Sequence, residues 1–363
     1  LSKRLRNEPL VEITQAKGTS ETHPFLSKND EWAAFEAVTN HPGEKILTNL
    51  SGSYVRDAYL QGLTLQDQGK PNPFNFGVIG SSDTHVAGGS YTEETHFSKI
   101  GLLDGEPYLR GSVPFDGIYS LIARLWQPDS ILEIDEKNYL SFSPRLIRFG
   151  SSGLAGVWAE ENTRESIYNA FRRKETFGTS GPRIKVRFFA GYNFENSNLN
   201  DQDLIQEAYS KNVPMGGDII QEKGKNPRFL VWAISDPLGA PLQRVQIIKG
   251  WLAEGEQMER VFDVACSDGQ SVNSQTHRCP DNNAQVNLDD CSINRDKGDA
   301  EIKTFWQDPE FDNGQEAFYY ARVLENPTCR WSTWDAVRAE ETPRSDIPVT
   351  IQERAWSSPI WYK

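Results

Sequence analysis

The spacing of apolar residues changes at Gly178–Ile184 ("GTSGPRI"), and this change restricts the fold more than any other feature of the chain. Before it, short, nearly continuous apolar runs such as Leu10–Ile13 ("LVEI") and Phe76–Ile79 ("FGVI") are separated by amphipathic segments. Such runs are typical of parallel strands buried on both faces, and their alternation with helices predicts an α/β sheet or barrel. After it, apolar residues occupy every second position from Ile184 to Tyr192, which predicts antiparallel strands.

Three segments of the first half predict helices, because their apolar residues recur at helical spacing. They are Asn29–Val38, Gly52–Leu63 and Asn162–Glu175. In the last of them, Asn162 and Glu165 have the spacing of a capping box. The second half predicts further short strands, separated by Gly, Pro and Asp turns, at Arg228–Asp236, Arg244–Leu252, Arg260–Cys266 and Phe318–Glu325.

A chain of 363 residues is longer than one hydrophobic core usually supports, so two domains or one enlarged barrel are expected. We place the boundary where the spacing changes. Residues 1–183 are predicted to form an α/β part, and residues 184–363 a β-rich domain like an antiparallel sandwich, which carries a cysteine-rich loop.

The four cysteines, Cys266, Cys279, Cys291 and Cys329, all lie in the last hundred residues of the chain. Their spacing matches no zinc ribbon or finger, and the surrounding segment is rich in Asn, Asp and Ser, so two disulfides are favoured over free thiols. Three pairings are possible. Disulfides require an oxidising compartment, which favours a periplasmic or secreted protein.

The net charge of −13 disfavours binding to nucleic acid or to anionic membranes. No apolar run approaches the roughly 20 residues of a membrane span. The first residue is Leu, and the opening segment lacks the apolar core of a signal peptide, so we expect a processed product or a fragment.

Asp83 and His85 follow the apolar run Phe76–Ile79 directly. If that run is a barrel strand, both side chains emerge at its carboxyl end, where barrels build active sites. A carboxylate oxygen with an imidazole nitrogen suits Zn²⁺, Mn²⁺ or Fe²⁺. The alternative is a turn in which Asp83 caps the next segment and His85 is solvated.

A second strand end carries the same residue types. Glu21 and His23 follow the run Leu10–Ile13, and Glu12 lies within it. Two strands that each deliver an acid and a histidine at one end are what a multinuclear metal site requires. Arg56 and Lys17 are candidates for holding an anionic substrate group, with a surface ion pair as the alternative.

Long segments of the chain resemble a large bacterial family known as domain of unknown function 3604, which is related to the PHP (polymerase and histidinol phosphatase) metal-dependent hydrolases. The resemblance rests on Val11–Pro24, Phe76–His85, Gly153–Ile184, Tyr319–Trp331 and Gln352–Tyr362.

This resemblance implies a distorted β/α barrel in residues 1–183 with a multinuclear metal centre, against which the end of the chain packs back. It implies Asp83 and His85 as metal ligands, and Glu21 as the carboxylate ligand with Glu12 as the alternative. His23, which follows Glu21 at the end of the first strand, is a further candidate ligand from the sequence itself. The family opens with a His-x-His motif that is absent from this sequence, so the first barrel strands are expected to be missing, or to remain associated as a cleaved N-terminal fragment.

The expected function is hydrolysis of a small anionic ester, with a phosphoester as the first choice, by a water activated on one or more Zn, Mn or Fe ions. Asp83, His85 and Arg56 are the expected catalytic residues. The alternatives are hydrolysis of another ester, a sulfate or an amide at the same centre, or a non-catalytic binding or assembly component with an incomplete metal site.

Overall fold

The computed structural model of the protein describes residues 2–37, 50–115, 117, 121, 125, 131–140, 146–194 and 197–363. The helices among them are α1 (Ser2–Asn7), α2 (Val55–Asp67), α3 (Arg164–Arg172), α4 (Leu204–Lys211) and α5 (Trp331–Arg338). The strands are β1 (Leu10–Gln15), β2 (Gly18–Thr19), β3 (Gly77–Gly80), β4 (Ile131–Ile134), β5 (Lys137–Leu140), β6 (Leu154–Val157), β7 (Thr176–Thr179), β8 (Lys185–Gly191), β9 (Val213–Pro214), β10 (Asp218–Ile219), β11 (Arg228–Ile234), β12 (Leu242–Ala253), β13 (Glu256–Cys266), β14 (Glu301–Gln307), β15 (Ala317–Glu325), β16 (Thr328–Cys329), β17 (Thr350–Ile351), β18 (Arg354–Ser357) and β19 (Ile360–Tyr362).

The strands predicted at the two apolar runs of the first half are confirmed as β1 and β3. They pair in parallel, with Val11 opposite Val78, and β2 adds an antiparallel edge to β1. These three strands form a small sheet in the order β2-β1-β3. Ile13 and Val78 are buried on it, which explains why both runs are apolar.

A large, mostly antiparallel sheet contains β10, β19, β15, β18, β7 and β6 in that order, with β12 paired to β15 and β13 paired to β12. The long hairpin β12–β13 turns at Glu254 and Gly255, whose φ angles are +51° and +83°. Two consecutive residues with positive φ match the right-handed twist of the flanking strands. A separate antiparallel sheet has the order β14-β11-β8-β9.

The large sheet is buried on both faces, because alternate residues of its central strands belong to different cores. Ile247 and Tyr319 pack with Phe188 and Val231 of the separate sheet. The neighbouring residues Ile248 and Tyr320 pack instead with Ile13, Val55, Tyr59 and Val78 of β1, α2 and β3. The large sheet is therefore the middle layer, between the β14-β11-β8-β9 sheet and the small sheet with α2.

The described residues form a mixed α/β protein of several open sheets, mostly strands, and none of these sheets closes into a barrel. The expected PHP-like barrel therefore finds no support in them. Strand β3 packs face to face against β7 of the large sheet and is not extended there by a further parallel strand. The contact is close: a Cβ atom added at Gly178 would lie 2.7 Å from the Gly80 nitrogen. Strands from both sides of residue 183 share the large sheet, and the predicted domain boundary there stays a prediction.

The helices predicted at Gly52–Leu63 and Asn162–Glu175 are confirmed as α2 and α3, with Thr163 rather than Asn162 as the N-cap of α3. The helix predicted at Asn29–Val38 is wrong as far as Ala37; Val38 lies outside the described residues. Turns replace it, and the Asp30 carboxylate accepts a hydrogen bond from the Trp32 backbone N–H at 3.0 Å. A local side-chain bond of this kind competes with helix formation.

Both predicted disulfides are formed, and the structure selects one pairing, Cys266–Cys279 and Cys291–Cys329. Within the described ranges, no helix combines the length and the apolar character that crossing a membrane requires.

Candidate functional site

The carboxyl ends of β1 and β3 lie side by side at one edge of the small sheet, because the two strands are parallel. Two backbone hydrogen bonds hold the exits together: Ser81 N–H donates to the Thr14 carbonyl at 3.0 Å, and Ala16 N–H donates to the Ser82 carbonyl at 3.3 Å. The polar residues that follow each strand therefore meet at this edge. We call the cluster of Lys17, Asp83, His85 and Lys99 the strand-end site.

Asp83 is the centre of the strand-end site. Its Oδ2 atom accepts from the ammonium groups of Lys17 at 2.6 Å and of Lys99 at 2.8 Å. Burial alone would raise the pKa of Asp83, but the hydrogen bonds and charges of the two lysines lower it to about 2. The carboxylate is therefore ionised at neutral pH. The backbone φ angle of Asp83 is +48°, a left-handed conformation that Asp tolerates better than most residues.

The two lysines differ in exposure. The Lys17 side chain is 55% exposed, whereas that of Lys99 is 3% exposed. Lys99 is fixed further by a bond from its ammonium group to the Asp83 carbonyl at 2.6 Å, and its backbone N–H donates to Asp104 at 2.7 Å. The backbone N–H of His85 donates to the Lys99 carbonyl at 2.8 Å, and the His85 residue is exposed. His85 is therefore an exposed residue whose backbone is tied to that of Lys99.

The structure places Glu21 in a different environment, inside the protein. Its Oε1 accepts from Arg56 at 2.6 Å and from the Tyr320 hydroxyl at 2.7 Å, and its Oε2 accepts from the Trp356 indole at 2.7 Å. Arg322 contacts both oxygens, at 3.0 and 3.1 Å. Burial raises the pKa of Glu21, but the two guanidinium groups outweigh it and lower the pKa overall. Glu21 is thus fully occupied by protein donors.

Asp30 completes this buried ion cluster. Arg322 binds its two oxygens at 2.7 and 2.9 Å, and Arg56 donates to Oδ2 at 2.8 Å. Two guanidinium groups therefore pair with two buried carboxylates between the small sheet, α2 and β15, and Arg56 also contacts the partly exposed Glu259 at 3.3 Å. Arg56 is 1% exposed, so its guanidinium faces this cluster and has no surface from which to contact a substrate.

His23 and Glu12 lie apart from the strand-end contacts. His23 is buried, and burial lowers its pKa, so the imidazole is neutral at pH 7. Its Nδ1 accepts from the Phe25 backbone N–H at 3.2 Å, and its ring lies 5.6 Å from that of Tyr54. Glu12 is exposed on β1. Asp83 and His85 are thus brought together with Lys17 and Lys99, while Glu21 and Arg56 meet elsewhere.

The donor chemistry decides which residues fit a metal ion. Asp83 and His85 are the candidates, because both lysines contact Asp83 at Oδ2 rather than Oδ1, and His85 is exposed two residues further along the chain. Glu21 does not fit, because a metal would have to displace two arginines. Across the parts of the chain that the structure describes, no three His, Cys, Asp or Glu side chains form a metal-binding group. A catalytic zinc site usually takes three protein ligands, so Asp83 and His85 form at most part of one.

The sequence did not single out Lys99, Asp30 or Arg322 as interacting residues. Lys99 lies 16 residues after Asp83 with no periodic signal between them, and Arg322 lies 292 residues from Asp30. The one available signal was chemical: Arg322 interrupts the apolar run Ala317–Leu324 of β15, where an unpaired charge would be costly.

These features define a disulfide-bonded, mixed α/β protein with an ionised aspartate, a histidine and two lysines at the end of a parallel strand pair. The chain belongs to the family described as "Protein of unknown function (DUF3604)", whose model matches residues 1–363. Comparisons with curated proteins and with solved structures gave no match.

Proposed function

We propose that the chain is a metal-dependent hydrolase that acts on a small anionic ester at the strand-end site. A phosphoester is the first choice of substrate. The observation that carries this proposal is the ionised Asp83 between two ammonium groups at one sheet edge, with the exposed His85 two residues away. In this proposal β1 and β3 correspond to part of a PHP-like barrel, and the disulfides reflect folding in the periplasm or outside the cell.

The chain's own residues have distinct roles in this scheme. Lys99 is held in place and supplies a fixed positive charge for an anionic group. Lys17 is half exposed, so its flexible side chain can move from Asp83 to the substrate at little cost. Ionised Asp83 and the His85 imidazole would hold the metal. When bound, a Zn, Mn or Fe ion supplies a water of lowered pKa and polarises the ester oxygen.

Two donors are fewer than such an ion needs, so we propose that an associated polypeptide, such as the N-terminal fragment implied by the family resemblance, supplies further ligands. Mass spectrometry of the purified protein checks for that partner. A co-purifying peptide with a His-x-His motif is the expected result, and a homogeneous single chain that nevertheless binds metal stoichiometrically would contradict this part of the proposal.

The central experiment measures metal content by mass spectrometry and hydrolysis of p-nitrophenyl phosphate, sulfate and acetate. The double variant Asp83→Ala with His85→Ala is expected to lose the metal and to lower kcat/KM for the preferred ester at least about 100-fold. The matched control is His277→Ala with Asp289→Ala, which removes the same residue types from the cysteine-rich loop. Unchanged metal content in the Asp83/His85 variant would remove both residues from the site.

A second candidate is a non-catalytic component that binds an anionic ligand through Lys17 and Lys99. The observation that favours it is that both ammonium groups already neutralise Asp83, and that the described residues bring no group of three metal-binding side chains together. It predicts less than about a tenth of an equivalent of transition metal in the purified protein, where a metallohydrolase needs about one or more. Metal content therefore separates the two functions.

A further inference from the structure

An open groove lies on the β14-β11-β8-β9 sheet, on the face turned away from the large sheet. Its lining comes from the loop of residues 197–200, from Arg228 at the start of β11, and from Lys303 and Phe305 of β14. The groove has a volume of about 630 Å³, within the range of pockets that hold small organic ligands, and it shares no residue with the strand-end site. We call it the outer-sheet groove.

The two cations of the groove are held by aromatic rings rather than by acids. The Arg228 guanidinium lies 4.1 Å from the centre of the Phe305 ring and donates to the Phe194 carbonyl at 2.6 Å. The Lys303 ammonium lies 5.0 Å from the centre of the Trp232 ring. Among the described residues, neither cation forms an ion pair with a carboxylate. A ring orients a cation without supplying a full opposing charge, so both charges stay largely uncompensated.

The charge of the groove lining is opposite to that of the chain as a whole, which is −13. The described lining holds two cations and no acid. Two acids contact the loop of residues 197–200 without lining the groove. Asp201 accepts from the Asn198 backbone N–H at 2.8 Å, and Glu207 accepts from the Ser197 hydroxyl at 3.0 Å and pairs with Lys211 at 2.7 Å. An anionic ligand in the groove would therefore meet unpaired positive charge.

The remaining lining is polar and indicates a ligand rich in hydroxyl groups. Asn198 and Asn200 are exposed, and their amides offer both donors and acceptors, as hydroxyl groups do. Guanidinium and ammonium groups bind carboxylate and sulfate oxygens with charge-assisted hydrogen bonds. We propose that the outer-sheet groove binds an acidic carbohydrate, a sugar chain whose carboxylate or sulfate groups contact Arg228 and Lys303.

Nucleic acid fits the groove less well. Two cations on a chain of charge −13 neutralise few phosphates. Single strands also bind by stacking bases on several aromatic faces, whereas the described lining has one ring, Phe305, over which Arg228 already lies.

The test is calorimetric titration of the full chain at pH 7 with three tetrasaccharides: one of galacturonic acid, one sulfated and derived from heparin, and neutral cellotetraose. At least one acidic tetrasaccharide should bind with a Kd of about 1 mM or tighter, and at least about tenfold more tightly than cellotetraose. Added NaCl should weaken this binding, because the contacts are partly exposed ion pairs. The tighter of the two acidic ligands identifies the anionic group as uronate or sulfate.

The double variant Arg228→Gln with Lys303→Gln is expected to lower the affinity at least about tenfold. Lys303→Gln alone removes no hydrogen bond within the described structure, so it should fold normally and still lower the affinity about threefold, whereas Lys303→Arg keeps it.

The matched control is Arg4→Gln with Lys363→Gln, which removes one arginine and one lysine that pair with Glu8 and Asp218 outside the groove. It keeps the full affinity, as does Asp83→Ala with His85→Ala, which makes the result independent of the proposed hydrolase.

Three results would overturn the proposal. The first is a wild-type chain that binds neither acidic tetrasaccharide more tightly than cellotetraose. The second is undiminished affinity in the Arg228/Lys303 variant. The third is tighter binding of another ligand class: inorganic sulfate that competes as well as the acidic tetrasaccharide would leave a simple anion site, and a tighter single-stranded oligothymidylate would assign the groove to nucleic acid.

Discussion

Replacing Arg322 by Met tests whether the buried ion cluster holds the small sheet to the large sheet. The Arg322 guanidinium is fully buried and donates to Glu21, to Asp30 and, at 2.8 Å, to Gln246. Met fills most of the space of the aliphatic stem, so the main effect is the lost charge. Two buried carboxylates then share the single guanidinium of Arg56.

Breaking a buried ion pair by removing one partner costs about 3–5 kcal/mol, because the other charge stays buried without compensation. We take about 4 kcal/mol for Arg322→Met, since Arg56 still neutralises one of the two carboxylates. With a urea m-value of about 3 kcal/mol/M, the unfolding midpoint moves down by about 1.3 M. Equilibrium urea unfolding at pH 7, followed by tryptophan fluorescence, measures this shift.

Two further variants make the result interpretable. Arg260→Met removes an arginine from β13, which is separated from β15 by β12. The pair of Arg260 with Glu310 is more than one-third exposed, so this change is expected to cost less than about 1 kcal/mol. Adding Asp30→Asn to Arg322→Met leaves Glu21 as the one fully buried carboxylate beside Arg56 and is expected to recover about 1–2 kcal/mol. The reasoning fails if Arg322→Met behaves like Arg260→Met, or if Asp30→Asn makes the Arg322 variant less stable still.

Two other predictions concern stability. Burial raises the pKa of Glu325 to about 8 from the ordinary 4.5, so the folded protein retains a proton that the unfolded chain releases at lower pH. The stabilisation that this retained proton gives the folded state is complete below about pH 4.5 and is lost as the pH rises through 8. The Tm of the wild type should therefore fall relative to that of Glu325→Gln between pH 5 and 9. Parallel Tm curves for the two proteins would contradict this. Removal of Cys291–Cys329, which closes a separation of 38 residues, should cost about 3.9 kcal/mol, against about 2.9 kcal/mol for Cys266–Cys279 with 13. Urea midpoints of the two Cys→Ser double variants test that order, and a reversed order would show that folded-state contacts outweigh loop closure.

The parts of the fold that the sequence predicted are those with a local physical signal. Continuous apolar runs marked β1 and β3, and helical spacing marked α2 and α3. The failed helix at Asn29–Val38 had the same helical spacing, but the Asp30 carboxylate is drawn to two arginines that are distant in sequence. Local pattern and tertiary charge pairing competed there, and the tertiary contacts prevailed.

The strands themselves could not show that the sheet of β1 and β3 stays open. A parallel pair is compatible with a barrel or with an open sheet, and the outcome depends on what meets the next edge or face. Here the absence of a side chain at Gly178 lets β7 approach the backbone of Gly80. The sequence likewise left three disulfide pairings open, because only the folded chain brings Cys291 near Cys329.

Glu21 and Asp83 show why equal residue types at two strand ends do not imply one shared site. Both carboxylates contact two cationic side chains, but Glu21 is 2% exposed and its arginines are fixed by further buried bonds. An external ligand at Glu21 would have to leave buried guanidinium groups unpaired, at a cost of several kcal/mol. Asp83 is 26% exposed and one of its lysines is half in solvent, where breaking the pair costs about 1 kcal/mol or less. Solvent access therefore assigns Glu21 to the scaffold and leaves Asp83 able to exchange its partners for a ligand.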